Sequence, residues 1–254
     1  MIKAFVFDAY GTLFDPQSIW HSVEEAFPGH GMFITSVWRQ KQLEYTWQRT
    51  VMDHFADFAT VTREALDYAI KTVAPDPDVQ VIDSLCAGFN RLELYSDAKE
   101  ALTSLKRHRL AILSNGSQAM LGTLLSNAGL DGVFECVVSS DSVRKYKPCP
   151  AIYRAVAAKL DLPPDQIALV SSNGFDLAGA RHFGLRTLRI ERISPDRLRR
   201  SFATSTSITA ESAFLALRSQ MDEFAGQSDF TCASLRDIAE IAASNAAIRN
   251  PEDR

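Results

Sequence analysis

What this chain lacks narrows its function before any motif is read. It has four cysteines in 254 residues, and Cys86, Cys136, Cys149 and Cys232 form no CxxC pair and no spacing typical of metal ligands. Free thiols in a reduced, cytoplasmic protein are therefore expected. No apolar run approaches the roughly 20 residues that a membrane span requires. The opening stretch Ile2–Phe7 is too short for the apolar part of a signal peptide, being interrupted by Lys3 and ended by Asp8. Charge of one sign is also scarce: 27 Lys and Arg stand against 31 Asp and Glu, a net charge of -4 with no long basic stripe. Nucleic acid would need clustered cations to offset its phosphates, so neither it nor a membrane is an expected partner. The one basic cluster, Arg192 to Arg200, is broken by Ser194, Pro195 and Asp196 and reads as a solvated surface helix. Internal repeats and low-complexity segments are missing as well, and disorder is suggested only for Asn250–Arg254.

What is present is an ordinary globular composition, 46% hydrophobic and 23% charged, with chain enough for one large α/β domain or a core with an insert. Continuous apolar runs recur, each ending in small polar residues. Ala4–Phe7 leads into Asp8-Ala9-Tyr10-Gly11-Thr12, Leu110–Leu113 into Ser114-Asn115-Gly116, Gly132–Val138 into Ser139-Ser140-Asp141, and Ile167–Val170 into Ser171-Ser172-Asn173-Gly174. Runs of this kind fit strands covered on both faces, and the helical patterns between them supply crossovers. The fold class expected is α/β, a doubly wound parallel sheet, with its ligand beyond the carboxyl ends of the strands. The stretch 15–95 is too long for one crossover and reads as an inserted helical cap domain, leaving 1–14 and 96–250 as the core. A second helical excursion, about 195–224, precedes a last strand near Phe230-Thr231-Cys232. Its apolar members Phe214, Leu215, Leu217 and Met221 look core-like or interfacial, which would suit a homodimer.

Asp8 is the first candidate for chemistry. A carboxylate just past a buried strand is costly unless donors surround it, and its bland role is to cap a turn. Gly11 and Thr12 follow, however, so the chain can turn tightly and aim backbone N–H groups inward. The Thr12 hydroxyl can bind one carboxylate oxygen and leave the other to attack. That combination favours a nucleophile over a cap.

With Asp8-Ala9-Tyr10-Gly11-Thr12-Leu13, Ser114-Asn115-Gly116, Lys147-Pro148 and Ser171-Ser172-Asn173-Gly174-Phe175-Asp176 in this order, the sequence resembles the haloacid dehalogenase superfamily. More narrowly it looks like the L-2-haloacid dehalogenase branch, from residue 2 to about 190. The resemblance implies a Rossmann-like core with a cap, a short (S)-2-haloacid as substrate, and a dimer. Two positions separate this branch from phosphatases of the superfamily. Phosphatases carry a second Asp two positions after the nucleophile, where this chain has Tyr10; a departing halide needs no proton. They also place Gly-Asp where this chain has the neutral run Ser171–Asn173. A hard dication wants several carboxylate oxygens, and only Asp8 and Asp176 remain, with Lys147 able to balance them. No metal and no cofactor are expected.

The remaining roles follow from the chemistry and the resemblance together. Ser114 and the backbone N–H groups of Ala9 and Tyr10 are candidates to pin the substrate carboxylate, although Ser114-Asn115-Gly116 alone would pass for a turn. The halide needs a cation and weak donors opposite Asp8. Arg39 on a cap helix, Asn115 and the electropositive edge of Phe175 fit, and the branch uses a corresponding trio; otherwise Arg39 would be a snorkelling surface residue. Tyr10, Leu43 and Phe58 would form an apolar wall at the substrate alkyl group, with Phe58 equally suited to plain core. Asp176 reads both as an N-cap and as the group that orients Lys147 and a water. Ser171 and Asn173 would support that water or the Asp8 ester, and the branch has a tyrosine near the site where Tyr153 stands. His182, in mid-helix, reads as surface. Attack by Asp8 on C2, then hydrolysis of the ester, would yield an (R)-2-hydroxyacid. The rivals are a Mg-dependent phosphatase or phosphonatase of the same superfamily, and a non-catalytic small-acid binding protein.

Overall fold

A computed structural model describes residues 1–203, 207–218 and 226–247. Six parallel strands form one sheet: β1 (Ala4–Phe7), β2 (Arg109–Ser114), β3 (Cys136–Ser139), β4 (Ile167–Ser171), β5 (Arg186–Ile190) and β6 (Phe230–Cys232). Their order is β3-β2-β1-β4-β5-β6, so the chain steps outward in both directions from β1. β1 pairs with β2 and β4 in the same register, Ala4 facing Arg109 on one side and Ile167 on the other. The carboxyl ends of these three strands are therefore level, and the crevice where strand order reverses lies above them.

The alternation of a strand explains why β1 has no polar residue. Phe5 and Phe7 pack with Ile112 and Val170 on one face of the sheet, while Ala4 and Val6 pack with Leu113 and Leu169 on the other. Burying each Phe contributes about 1.5–3 kcal/mol. β3 starts later than the apolar run Gly132–Val138 suggested. Gly132 takes a positive φ of 73° and Val133 donates back to Leu130, so the first residues of that run form a turn.

Between β1 and β2 lie α1 (Trp20–Ala26), α2 (Gly31–Val51), α3 (Phe58–Lys71), α4 (Val79–Gly88), a 3-10 turn at Phe89–Arg91, and α5 (Ala98–Ser104). Asp57 caps α3 by accepting from the Thr60 N–H at 2.8 Å. The long helix α2 is tied to α3 by the indole of Trp38, which donates to the Thr62 carbonyl at 2.8 Å. The other crossovers use α6 (Gln118–Asn127), α7 (Pro150–Leu160) and α8 (Gly174–Phe183), the last closed by Gly184 at φ 101°. After β5 come α9 (Pro195–Ala203) and α10 (Ala210–Arg218), and after β6 comes α11 (Ile238–Ala247).

Phe214 and Leu215 of α10 are buried while Leu217 is 59% exposed, so the apolar residues of this excursion divide between core and surface. Met221 and Asn250–Arg254 lie outside the described residues. The basic cluster also needs correction. Arg192 is not part of a solvated helix: its guanidinium lies over the Tyr95 ring at 3.9 Å and donates to Asp97 at 2.8 Å. No disulfide joins the cysteines, and among the described residues no helix is long and apolar enough to cross a membrane.

Candidate active site

Gly11 adopts a φ of 90°, which a side chain would strain, and its turn folds Ala9–Phe14 tightly against the end of β1. The Ala9 carbonyl accepts from the N–H groups of Thr12, Leu13 and Phe14, so the turn's own bonds do not draw on the N–H groups of Ala9 or Tyr10. This places Thr12 over Asp8. Its hydroxyl donates to Asp8 Oδ2 at 3.0 Å and accepts from the Ser172 N–H at 2.9 Å. Because an N–H can only donate, the Thr12 proton must point at the carboxylate.

The second donor to Oδ2 is Asn173, whose Nδ2 lies 2.6 Å away and also donates to the Tyr10 carbonyl at 3.1 Å. Ser171 holds this loop, its hydroxyl oxygen accepting from the Asn173 N–H at 3.1 Å. The other oxygen, Oδ1, receives Lys147 Nζ at 3.0 Å. One oxygen of Asp8 is thus held by two neutral donors, and the other faces an ammonium.

Lys147 is 1% exposed and lies 2.7 Å from Asp176 Oδ2. Burial works against its charge, but Asp176 and Asp8 hold its pKa above that of a free lysine. Asp176 is fully buried, and that burial pushes its carboxyl up to about 6 against the pull of Lys147, with the Asp8 charge adding to the rise. Its Oδ1 accepts from the Tyr153 hydroxyl at 2.9 Å. Burial also raises the Tyr153 pKa well above its usual value, so the phenol is a donor at neutral pH. Gly179 permits this packing: a Cβ there would meet Tyr153 Oη and Pro148 Cβ at 2.6 Å. The N-cap reading of Asp176 is corrected by α8, which begins at Gly174 with Asn173 at its cap. Asp176 sits in the first turn with its side chain turned to Lys147.

Asn115 accepts the Lys147 N–H on its Oδ1 at 2.9 Å, which joins the end of β2 to the lysine segment. The Ser114 hydroxyl oxygen accepts from the Gly116 N–H at 3.1 Å, a local turn at the same strand end. Tyr10 lies among rings, with centroids 5.5 Å from Phe58 and 5.3 Å from Phe89. Burial raises its pKa far beyond the working range and keeps the phenol neutral. Leu43 is buried one turn beyond Arg39 on α2. Arg39 Nη1 donates to Gln42 Oε1 at 2.5 Å. Phe175, half-buried, meets the Trp47 ring edge-on at 5.4 Å. His182 is exposed on α8.

The structure therefore joins Asp8, Thr12, Lys147, Asn173, Asp176 and Tyr153 in one hydrogen-bonded network, with Ser171 and Asn115 bracing it. Ser114 lies at the adjacent strand end, Phe58 meets the Tyr10 ring and Phe175 directly precedes Asp176, while Arg39 and Leu43 are buried on α2. Several partners had no motif to mark them: Gln42, Thr62 and Tyr146, which are buried, and Arg192, which is half-buried. Helical spacing groups Gln42 with Thr35, Arg39 and Thr46 on one side of α2, but the spacing of polar residues does not say that this side is the buried one. Arg192 supports the turn after Asp8 from behind by donating to the Thr12 carbonyl at 2.6 Å.

The donor set does not fit a divalent cation. A dication would have to displace the Lys147 ammonium from between the two carboxylates, and Asp8 Oδ2 is already enclosed by Thr12 and Asn173. Among the described residues no three His, Cys, Asp or Glu side chains gather as metal ligands.

Comparison with known proteins identifies the family. The family model of haloacid dehalogenase-like hydrolases matches residues 2–184. An (S)-2-haloacid dehalogenase of Xanthobacter autotrophicus is 45% identical over 95% of both chains. One from Pseudomonas sp. (strain YL) is 42% identical over 75% of this chain and 83% of the relative. Among solved structures, the L-2-haloacid dehalogenase from Xanthobacter autotrophicus superposes with a TM-score of 0.92 at 44% identity, covering 96% of this chain and 99% of that one. The same enzyme with chloropropionic acid covalently bound gives the same match.

Proposed function

The chain belongs to the haloacid dehalogenase-like hydrolases, within their (S)-2-haloacid dehalogenase branch, and from that premise we propose that it converts short (S)-2-haloacids to (R)-2-hydroxyacids and halide. Asp8 Oδ1 attacks C2 from the side opposite the halogen, and the carbon–halogen electron pair leaves as halide. The product of this step is an ester between Asp8 and the acid, inverted at C2. A water then adds to the Asp8 carbonyl carbon. The ester C–O bond to the side chain breaks, the hydroxyacid leaves with its C2–O bond intact, and one proton goes to solvent. Only one inversion occurs, so S gives R.

The observation that carries this reading is the Lys147 ammonium between Asp8 and Asp176, 3.0 and 2.7 Å from them. It faces the attacking oxygen of Asp8 and balances the two carboxylates, and Asp176, kept in place by Tyr153, is the group that orients the hydrolytic water. Thr12 and Asn173 hold Oδ2, so the carbonyl oxygen of the ester intermediate meets two donors when charge builds on it. Ser114 with the N–H groups of Ala9 and Tyr10 takes the substrate carboxylate; Arg39, Asn115 and Phe175 take the halide. Tyr10, Leu43 and Phe58 line the alkyl side. Residues 15–95 act as the cap that excludes water from the first step.

Halide release from each enantiomer of 2-chloropropionate, with EDTA present, tests the proposal in wild type and Asp8→Asn. The expected result is EDTA-resistant release from the S enantiomer alone, absent in Asp8→Asn. Mg-dependent hydrolysis of a phosphate ester, with no halide from either enantiomer, would overturn it.

A further inference from the structure

The helices between β1 and β2 are joined to the sheet by two chain segments, and these pair with each other. On the way out, Phe14 forms an antiparallel bridge with Leu94 of the returning segment. Beside it the Asp15 N–H donates to the Glu93 carbonyl at 2.8 Å, and the Tyr95 N–H donates to the Leu13 carbonyl at 2.9 Å. Arg192, just past β5, closes the base of this ribbon. Its Nη2 donates to the Thr12 carbonyl at 2.6 Å, before the outgoing segment, and its Nη1 donates to Asp97 Oδ2 at 2.8 Å, after the returning one. The guanidinium lies over the Tyr95 ring, 3.9 Å from its centroid. Asp97 stands at the N-cap of α5 but makes no cap bond there. Its Oδ2 accepts instead from Arg192, from the Ser234 hydroxyl and from the Leu235 N–H, the last two at 2.9 Å. A guanidinium can bridge a carboxylate and a carbonyl while laying a flat face on a ring; an ammonium is a point charge with no plane.

We infer that Arg192 is a positioning residue that sets the Thr12 hydroxyl against Asp8 and ties that geometry to the seat of the helical insert. This rests on the reaction proposed for Asp8. Thr12 is the link, since Arg192 holds its carbonyl while its hydroxyl donates to Asp8 Oδ2 at 3.0 Å. The charge on Oδ2 decides which step depends on that link. During displacement of halide, Oδ2 passes from a carboxylate oxygen to an ester carbonyl oxygen, and the Thr12 bond weakens. When water adds to the ester, negative charge returns to Oδ2 and the Thr12 bond strengthens. A loosened Thr12 therefore slows ester hydrolysis and spares halide displacement.

Arg192→Lys keeps a cation beside Asp97 but gives up the bridge to Thr12. With enzyme in excess, halide release from (S)-2-chloropropionate should be unchanged. Hydrolysis of the Asp8 ester, followed as intact-protein mass in quenched samples, should slow about tenfold, so the ester accumulates. The Ser172 N–H still holds the Thr12 hydroxyl, which keeps this effect below the outright loss of an oxyanion donor. A merely structural role would slow both steps alike or neither, and either result in folded Arg192→Lys would overturn the inference. In a Thr12→Val background, Arg192→Lys should slow ester hydrolysis no further; additive losses would mean that Arg192 does not act through Thr12. Should Arg192→Lys fail to fold, Tyr95→Leu, which takes away the ring under the guanidinium, should shift the balance of the two steps in the same direction by a smaller amount, and an unchanged balance would sink the idea. Amide exchange without substrate separates this inference from the proposed reaction. In Arg192→Lys exchange should rise together in residues 9–15 and 92–97. A joint rise supports the tie even if no ester ever forms on Asp8; a rise in one segment alone, or in neither, refutes it.

Discussion

On the strand side of the Asp8 site a buried cation stands between two carboxylates, whereas on the helix side a buried cation leans on a neutral amide. Lys147 meets Asp8 and Asp176, and all three side chains are almost completely enclosed. Arg39, similarly enclosed, meets Gln42, which in turn meets Thr62. The difference follows from what each side has to do. In the proposed reaction the strand side holds an anionic nucleophile in the absence of water, and its charges are balanced among residents. On the helix side the proposed reaction brings in an anion only after the bond breaks, and Gln42 gives Arg39 a neutral hydrogen-bond partner. A buried charge costs less when paired, and Lys147 has that pairing from both carboxylates.

The largest expected effect comes from removing the resident cation. Lys147→Met leaves two buried carboxylates facing each other, and breaking a buried pair in this way costs about 3–5 kcal/mol. Urea unfolding at neutral pH should show that loss, with halide release reduced at least on the order of 10²-fold. A variant of near wild-type stability would mean that Asp8 and Asp176 do not rely on Lys147, and the contrast between the two sides would collapse.

A smaller effect, one that sharpens the comparison, is pH dependence on the strand side alone. Burial raises Asp176 to about 6, above its ordinary 3.8. The ionised form is the one that pairs with Lys147 and orients the water, so kcat/KM should fall as pH drops through about 6. Stability has the opposite sign. With the folded value above the unfolded one, Asp176 favours the folded state below about 4, and that contribution is lost as pH rises through about 6. Asp176→Asn should lower activity and erase both inflections; an activity inflection near 6 that survives in this variant would assign the titration elsewhere.

The two sides also differ in how far they could be read from residues alone. β1, β2 and β4 are continuous apolar runs ending in polar residues, and parallel pairing in one register brings those ends together. Asp8, Ser114 and Ser171 are therefore placed by the sheet pattern itself. The helix side offers no such rule. Gln42 and Thr62 are polar residues on helices, and composition alone does not separate a buried polar relay from a solvated face; only the packing of α2 on α3 decides it. Asp176 shows the same limit in another form. Its position at the start of a helix fits a cap, but the ammonium 29 residues earlier in the chain turns it inward. Arg192 looked solvated because its neighbours in sequence are charged, yet Tyr95, Asp97 and the Thr12 carbonyl, all distant in sequence, hold it half-buried.

Tyr146 is where the two sides meet, and it gives the mildest prediction. It directly precedes Lys147, its N–H donates to Thr50 Oγ1 at 3.1 Å, and its hydroxyl donates to the Ala56 carbonyl at 2.6 Å. Its ring lies 5.2 Å from Phe55 and 6.2 Å from Phe58. The lysine segment thus grips the turn between α2 and α3, and the ring beside Phe58 belongs to the residue before Lys147. Tyr146→Phe keeps the ring contacts and removes one hydrogen bond, a change of about 1 kcal/mol in stability. Lys147 has its own ion pairs and should stay in place, whereas Phe58, reached only through packing, should loosen. The loss in kcat/KM should therefore be fewfold and greater for 2-chlorobutyrate, whose alkyl group meets the Phe58 wall, than for chloroacetate, which has no alkyl branch. An equal loss on both substrates would place the damage at Lys147 instead, and would mean that the strand and helix sides are coupled more tightly than their separate hydrogen-bond networks indicate.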